Sequence, residues 1–255
     1  VYVALKIAHN NGIFTYGLKS ELTDEACFGR RVKVEFRKRL LTGVIIGVDR
    51  SEGTNFKVKE VVEFMDDFAI ITKNQLALME FASRYYFNDL GTCVHLAVPK
   101  NEKAGRTKVK ALPPTSKSLP SLSREQQHVA TTILEHPQGA FLLEGITGSG
   151  KTHVYIKIAH EMLEQKKSIL FIVPEISLTP QLVERVEHAL ALKAVVMHSN
   201  ISPAQKRDGI FRLLTHEAQV LIGARSAIFA PLKNLGLIVV DEEHDGSLKQ
   251  DESPR

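Results

Sequence analysis

Phe141-Leu-Leu-Glu-Gly145-Ile-Thr-Gly-Ser-Gly-Lys151-Thr152 is the stretch on which the fold of this chain turns. The apolar run AFLLE at 140–144 reads as a buried strand, and it feeds a GxxxxGK[ST] string at 145–152. The residues that follow, HVYIKIAHEMLEQ at 153–165, repeat their apolar positions at helical spacing. The chemistry needs that placement. Gly145, Gly148 and Gly150, interleaved with Thr147 and Ser149, let backbone N–H groups converge on phosphate oxygens at the positive end of a helix dipole. Lys151 reaches the β- and γ-phosphates, and the Thr152 hydroxyl reaches Mg²⁺. Such a string arises by accident in roughly one chain in a hundred of this length, and its setting between strand and helix makes accident rarer still. ATP and Mg²⁺ are the expected ligands.

Working outward toward the C-terminus, apolar runs alternate with amphipathic helices. Helix SREQQHVATTILEH (123–136) precedes the string. After it come strand SILFIV (168–173), helix LTPQLVERVEHAL (178–190), strand AVVMHS (194–199), a helix opened by Ser202 and Pro203, and strands QVLIGA (219–224) and LGLIVVDE (235–242). Alternation of this kind implies right-handed βαβ crossovers and a parallel sheet covered on both faces, an α/β lobe carrying the P-loop. The last strand delivers Asp241, Glu242, Glu243 and His244 to its C-terminal end, where open parallel sheets bind ligands. There Asp241 is placed to hold Mg²⁺ and Glu242 to orient or deprotonate the water that attacks the γ-phosphate. Lys151, Asp241 and Glu242 are therefore the expected catalytic set.

Working outward toward the N-terminus, the grammar changes. Between 100 and 120 the chain loses periodicity and becomes rich in Lys, Pro and Ser, which reads as a linker between a region at 1–99 and one at 121–255. Residues 1–65 hold five short β segments, VYVALKI, FTYGL, RRVKVEF, LLTGVIIGV and KVKEVVEFM, spaced as in a small barrel. Thr72 is placed to cap a helix with Leu76, Met79, Phe81 and Tyr85 along one side. The run 29–39, GRRVKVEFRKR, holds six Arg or Lys against one Glu. Strand alternation sets Arg31, Lys33 and Glu35 on one face, so Arg31, Lys33 and Lys38 are expected to track nucleic-acid phosphates; a plain solvated face is the alternative.

Composition bounds the remaining classes. With 44% hydrophobic and 24% charged residues in 255, the chain has the balance of a packed globular protein. No apolar stretch approaches the roughly 20 residues of a membrane span and no signal core opens the chain, so a cytoplasmic protein without a membrane partner is expected. The net charge of +4 fits a nucleic-acid partner. Cys27 and Cys93 have no CxxC spacing, which argues for buried thiols and against a zinc site. A start at Val1 and an end at Arg255, just past an acidic run, suggest a fragment.

Asp241-Glu242-Glu243-His244 resembles the DExH signature of superfamily-two helicases, and further segments match that resemblance. Leu122-Ser-Arg-Glu-Gln126 is similar to the element whose glutamine reads adenine. Val173-Pro-Glu-Ile-Ser-Leu-Thr-Pro-Gln181 resembles motif Ia, and Gly223-Ala-Arg225-Ser226-Ala227 resembles motif Ib. The resemblance implies that the α/β lobe is the first RecA-like lobe of a motor, with adenine contact by Gln126, contact with a single-strand backbone through Thr179, Gln181, Arg225 and Ser226, and coupling of the acidic site to motion by His244. Each of these could equally be a helix cap or a surface ion pair. The combined wording of 122–255, and more weakly of 1–99, is closest to the PriA family of primosomal replication-restart helicases. That family implies recognition of a 3′ end at a DNA fork in a pocket around Phe14, Thr15, Tyr16 and Lys59. It also implies 3′-to-5′ unwinding, primosome loading, dealings with single-strand-binding proteins, and a zinc module whose ligands are not in this chain. Three departures stand out: Thr15 replaces an acidic residue, the 100–120 linker has no room for a winged helix, and Leu248 replaces an aromatic. A double-strand DNA translocase, or a DNA-binding module with an idle nucleotide lobe, are the alternatives.

Overall fold

The computed structural model describes residues 1–18, 23–49, 58–98, 119, 121–146 and 148–248. The linker apart from Leu119, and Thr147 of the P-loop, lie outside these residues. Strands β1 (Tyr2–Leu5), β2 (Ile13–Thr15), β3 (Arg31–Phe36), β4 (Arg39–Gly47) and β5 (Val61–Phe64) form an antiparallel sheet ordered β2-β1-β4-β3-β5. Its two edges meet. Just past β2 the Gly17 N–H donates to the Lys59 carbonyl at 2.8 Å, and the Val61 N–H of β5 donates back to the Gly17 carbonyl at 2.9 Å. The sheet thus curls toward the expected barrel and leaves little open edge. A short helix α1 (Asp24–Cys27), capped by the Thr23 hydroxyl, precedes β3.

Strand alternation in β3 follows expectation at Val32 and Val34, which are fully buried, and fails at Arg31, which is also fully buried. Helix α2 (Lys73–Tyr85) opens with a capping box between Thr72 and Gln75, a device worth about 1 kcal/mol. Its buried residues are Gln75, Met79, Ala82 and Ser83, whereas Phe81 and Tyr85 are exposed. The apolar stripe expected there holds at Met79, which is buried, and at Leu76, which packs against the same core, and is corrected at Phe81 and Tyr85, which stack on each other and face outward. Helix α3 (Leu90–Ala97), not anticipated from sequence, completes this part.

The remaining elements are α4 (Arg124–Glu135), α5 (Lys151–Glu164), β6 (Ser168–Ile172), α6 (Pro180–Leu190), β7 (Val195–Met197), α7 (Pro203–Leu214), β8 (Val220–Gly223) and β9 (Leu235–Val240). The four strands run parallel in the order β7-β8-β6-β9. Every residue of β6 and β8 is buried, as in a parallel sheet covered on both faces. Alternate residues of β6 serve different cores. Ile169 and Phe171 pack with Ile156, Met162 and Val186 of α5 and α6. Leu170 and Ile172 pack in a cluster holding Ile210 and Leu213 of α7 together with Ile70, Met79 and Val94 from the first hundred residues. One face of the parallel sheet is therefore covered in part by the N-terminal portion.

A second expectation is overturned, in the parallel-sheet part. The run 140–144 is not a strand: Phe141 and Leu142 are 46% and 68% exposed, and β9 keeps a bare edge with Ile238 and Val240 half-exposed. A cavity of about 710 Å³ separates the two segments. An apolar run becomes a strand only where a neighbour accepts its backbone hydrogen bonds, which local composition does not specify. Among the described residues no helix is long and apolar enough to cross a membrane.

Candidate nucleotide and nucleic-acid site

The glycine-rich loop begins at Gly145 and ends at Gly150, which caps α5 with a left-handed backbone (φ +83°). Gly148 is likewise at φ +82°. A side chain at Gly145 would strike the Ser149 hydroxyl, and one at Gly150 would strike the Gln126 amide. Backbone shape thus favours glycine at 148 and 150, and at 145 and 150 the Ser149 hydroxyl and the Gln126 amide would have to shift to admit a side chain. The Lys151 Nζ donates to the Gly145 carbonyl at 2.6 Å, so the ammonium already lies across the loop. Gln126 is the third residue of α4 and takes part in a capping box with Ser123, while its Nε2 donates to the Ser149 carbonyl at 2.9 Å. In this arrangement Gln126 braces the P-loop, and both ends of its amide are engaged.

The Thr152 Oγ1 lies 3.2 Å from the Tyr155 hydroxyl, one helical turn on. Burial, foremost, and the neighbouring Asp241 and Glu242 carboxylates push the Tyr155 phenol up to about 12. Thr152, Tyr155, Asp241 and Glu242 therefore form one polar group where α5 faces the end of β9. Asp241 continues the ladder through its N–H to the Ile172 carbonyl at 2.9 Å. Glu242 sits at φ +50°, and its carboxylate is 3.4 Å from the Nε2 of His244, an exposed ring. Lys151, Asp241, Glu242 and His244 all line the cavity beside the loop.

The other three strands send their C-terminal ends to the same side. After β6, Glu175 accepts hydrogen bonds from both the N–H and the hydroxyl of Ser199, which follows β7. The Ser199 hydroxyl, first, then its N–H, hold the Glu175 carboxyl below the ordinary range, helped by the charges of His198 and Arg225. Thr179 caps α6 through its hydroxyl, which accepts from the Leu182 N–H at 3.3 Å, and Gln181 is exposed on the first turn. After β8, a 3₁₀ turn runs from Arg225 to Phe229. Its close approach to β7 requires Gly223, where a side chain would meet the Met197 carbonyl. Ser226 is exposed, and the Arg225 Nη1 reaches the Ser247 carbonyl at 3.4 Å, in the loop that follows the acidic strand. Sequence reasoning missed Glu175 and Tyr155. The first lay inside a quoted segment, and the second stands three residues after Thr152, at the spacing that brings helical neighbours together.

The N-terminal candidates separate into two groups. Phe14 is half-buried edge-on to Phe36, with centroids 4.8 Å apart, and Thr15 is exposed. Tyr16 is buried and its hydroxyl donates to the Glu35 carbonyl at 3.2 Å, so it supports the strands and does not open onto a pocket. Lys59 pairs with Glu35 and Lys33 with Glu63, each at 2.7 Å. Arg31 is a further correction: it is fully buried, with Nε and Nη2 on the Asp66 carboxylate at 2.6 and 2.9 Å, and is unavailable to a phosphate. Lys38 differs from these. With Arg37 it makes the two-residue turn of the β3–β4 hairpin, both at positive φ, and Arg37, Lys38 and Arg39 are exposed.

A family model described as DEAD/DEAH box helicase matches residues 123–253, about half of the chain. The chain belongs to the DEAD/DEAH box helicases. A second model, described as the 3′ DNA-binding domain (3′BD) of PriA, matches residues 2–99 of this helicase chain. Similar curated proteins include the replication restart protein PriA of Rickettsia felis, 36% identical over 225 residues, which are 88% of the helicase chain and 34% of the relative. PriA of Treponema pallidum is 35% identical over 250 residues, 95% of the chain and 38% of the relative. PriA of Bacillus subtilis is 44% identical over 127 residues, 50% and 16% respectively. The helicase chain spans about a third of the length of the first two relatives.

Proposed function

We propose that this chain is the fork-binding and nucleotide-binding part of a PriA-type replication-restart helicase. In that reading it grips forked and single-stranded DNA and uses ATP to drive 3′-to-5′ unwinding for primosome assembly. The observation that carries the reading is the convergence, on one end of one parallel sheet, of a P-loop, an acidic strand end and two loops resembling DNA-contacting motifs, in a chain whose first hundred residues match a 3′ DNA-binding domain.

The residues present fit ATP and Mg²⁺. Gly148 and Gly150 give the loop its left-handed turns, and Thr152 and Asp241 converge on the Tyr155 hydroxyl at the helix end. Gly145, Thr147, Gly148, Ser149 and Gly150 would cradle the phosphates, Lys151 would neutralise them, and Thr152 and Asp241 would hold the metal. When bound, Mg²⁺ would neutralise charge on the terminal phosphates. Glu242 is the proposed residue that orients water. Gln126 would reach adenine only by giving up its bond to Ser149. The contact of Arg225 with the loop after the acidic strand is a direct route from a DNA loop to the nucleotide, with His244 on that same loop. Thr179, Gln181, Arg225 and Ser226 are the proposed single-strand contacts, and Phe14, Thr15 and Lys38 the proposed contacts of the fork domain. Lys59 could join them only by leaving Glu35. Primosomal and single-strand-binding proteins are the proposed partners, and the cytoplasm the proposed location.

Residues 1–255 taken alone are proposed to bind ATP and turn it over slowly. Charge developing on the γ-phosphoryl group also needs an arginine finger, worth about 10³ to 10⁵ in rate, which two-lobe motors take from a second lobe. The test of the whole reading is strand displacement from a fork by the full-length protein. Displacement that requires ATP and is lost in Lys151→Ala supports it. ATP-driven movement along duplex DNA without strand separation would favour a double-strand translocase, and fork binding with no nucleotide effect would favour a binding module.

A further inference from the structure

Asp66, two residues past β5, is the most heavily gripped carboxylate in the described chain. Its side chain is fully buried. Arg31 of β3 holds it with a two-pronged contact at 2.6 and 2.9 Å, and Arg30 holds its backbone carbonyl with Nε and Nη2 at 2.9 and 2.7 Å. The third arginine comes from the other half of the molecule. Arg207 of α7 puts its Nε 3.0 Å from Oδ1 of Asp66, with only 19% of its side chain exposed. Around this point the same seam is fastened repeatedly. The Arg207 guanidinium lies over the Phe68 ring at 5.9 Å, and Phe68 meets Phe211 edge-on at 5.0 Å. The Lys206 Nζ donates to the Leu96 carbonyl at 2.8 Å. Gln75 of α2 donates to the carbonyl of Phe229, which ends the turn that begins at Arg225.

A buried carboxylate tolerates no loose partner, because a charge taken out of water must be matched by donors at fixed places. Arginine's planar fork also fixes direction, which apolar packing alone does not. We propose that Asp66 and Arg207 are positioning residues that lock the fork-binding part onto the motor lobe in one orientation, so that DNA held on the barrel side and DNA held by the Arg225–Ser226 turn are kept in register. This inference rests on the proposed DNA-binding reading, and it goes further by assigning the register to one buried contact. DNA gripped at two surfaces that are rigidly linked binds tighter than at either alone, because the second contact is made at high effective concentration.

The test compares the parent with Arg207→Met, Arg207→Lys and, as a control, Lys33→Met, whose half-exposed ion pair with Glu63 joins β3 to β5 within the first sheet. Fluorophores are placed at Glu25→Cys and His216→Cys, both exposed, in a chain whose native Cys27 and Cys93 are buried. The parent and the control are expected to give one narrow distance distribution, Arg207→Met a broad one, and Arg207→Lys partial restoration. Affinity is then measured for a 3′-ended duplex, for a single strand and for a fork that joins them. Arg207→Met is expected to lose about tenfold on the fork while each half-substrate changes less than about twofold. A distance distribution in Arg207→Met as narrow as the parent's would overturn the proposal, as would equal losses on all three DNAs. Should that variant fail to fold, Arg207→Gln is read by the same two criteria. If the parent binds neither half-substrate, the DNA-binding reading fails, and the lock is judged by the distance distributions.

Discussion

The strand ends of the parallel sheet and the basic face of β3 were both marked for function by composition, and the fold treats them oppositely. At the parallel sheet, Asp241, Thr179 and Arg225 stand on one side because strand direction puts them there, and the Tyr155 hydroxyl, beside Thr152 and Asp241, ties the start of α5 with Lys151 to the same end. At β3, Arg31 is buried against Asp66 and the half-exposed Lys33 is paired with Glu63, whereas the hairpin from Arg37 to Arg39 presents three exposed cations to solvent. A site written in backbone geometry survives folding. A site written in charge depends on which partners the tertiary structure supplies.

Substitutions can break or sharpen that contrast, beginning with the largest effect. Arg31→Met should cost about 3 kcal/mol in chemical denaturation, the low end for a broken buried pair because Arg207 stays on Asp66. A loss under about 0.5 kcal/mol, typical of surface positions, would return Arg31 to the solvated class. Lys151→Ala should leave stability alone and weaken ATP binding about tenfold or more, since a charge-assisted phosphate contact is worth roughly 1.5–3 kcal/mol; unchanged calorimetric affinity would empty the P-loop reading. Tyr155→Phe tests the α5–β9 junction by pH. A phenol raised to about 12 keeps its stabilising share fully below pH 10, the ordinary value, and loses it as the pH climbs from 10 to 12. The stability gap between parent and variant should therefore shrink by about 1 kcal/mol over that window, allowing for the partly wet ring. A gap that stays constant in denaturation curves taken across it would mean the hydroxyl is not held. Lys33→Met should be the mildest, at about 0.2–1 kcal/mol, with little change in how DNA affinity falls with salt. Neutralising Arg37, Lys38 and Arg39 together should instead flatten that dependence by about two to three units of slope.

Legibility divides along the same line. The P-loop, the acidic strand end, the helix cap at Thr72 and all five barrel strands rest on neighbours within a few residues, and local pattern found them. Arg31 pairs with a residue far along the chain, and that partner is shared with α7, so no window around 31 contains the reason for its burial. The run 140–144 has a strand's composition but lacks a paired neighbour at β9. Phe81 and Tyr85 keep helical spacing, yet the buried side of α2 is the one with Gln75, Met79, Ala82 and Ser83, and spacing alone does not choose between two sides.

The closure of the small sheet at Gly17 has a kinetic side. The seam joins β2 to β5, the outermost strands, by two hydrogen bonds between residues far apart in sequence. Contacts of that kind are late and slow to form, because the loop entropy between them is lost before any bond is gained. Until the seam shuts, the nascent sheet exposes two bare edges able to pair with another chain. The hazard in producing this protein therefore lies in the interval before closure, and Val61→Pro, which removes one of the two donors, should lengthen that interval and raise the aggregated fraction on refolding.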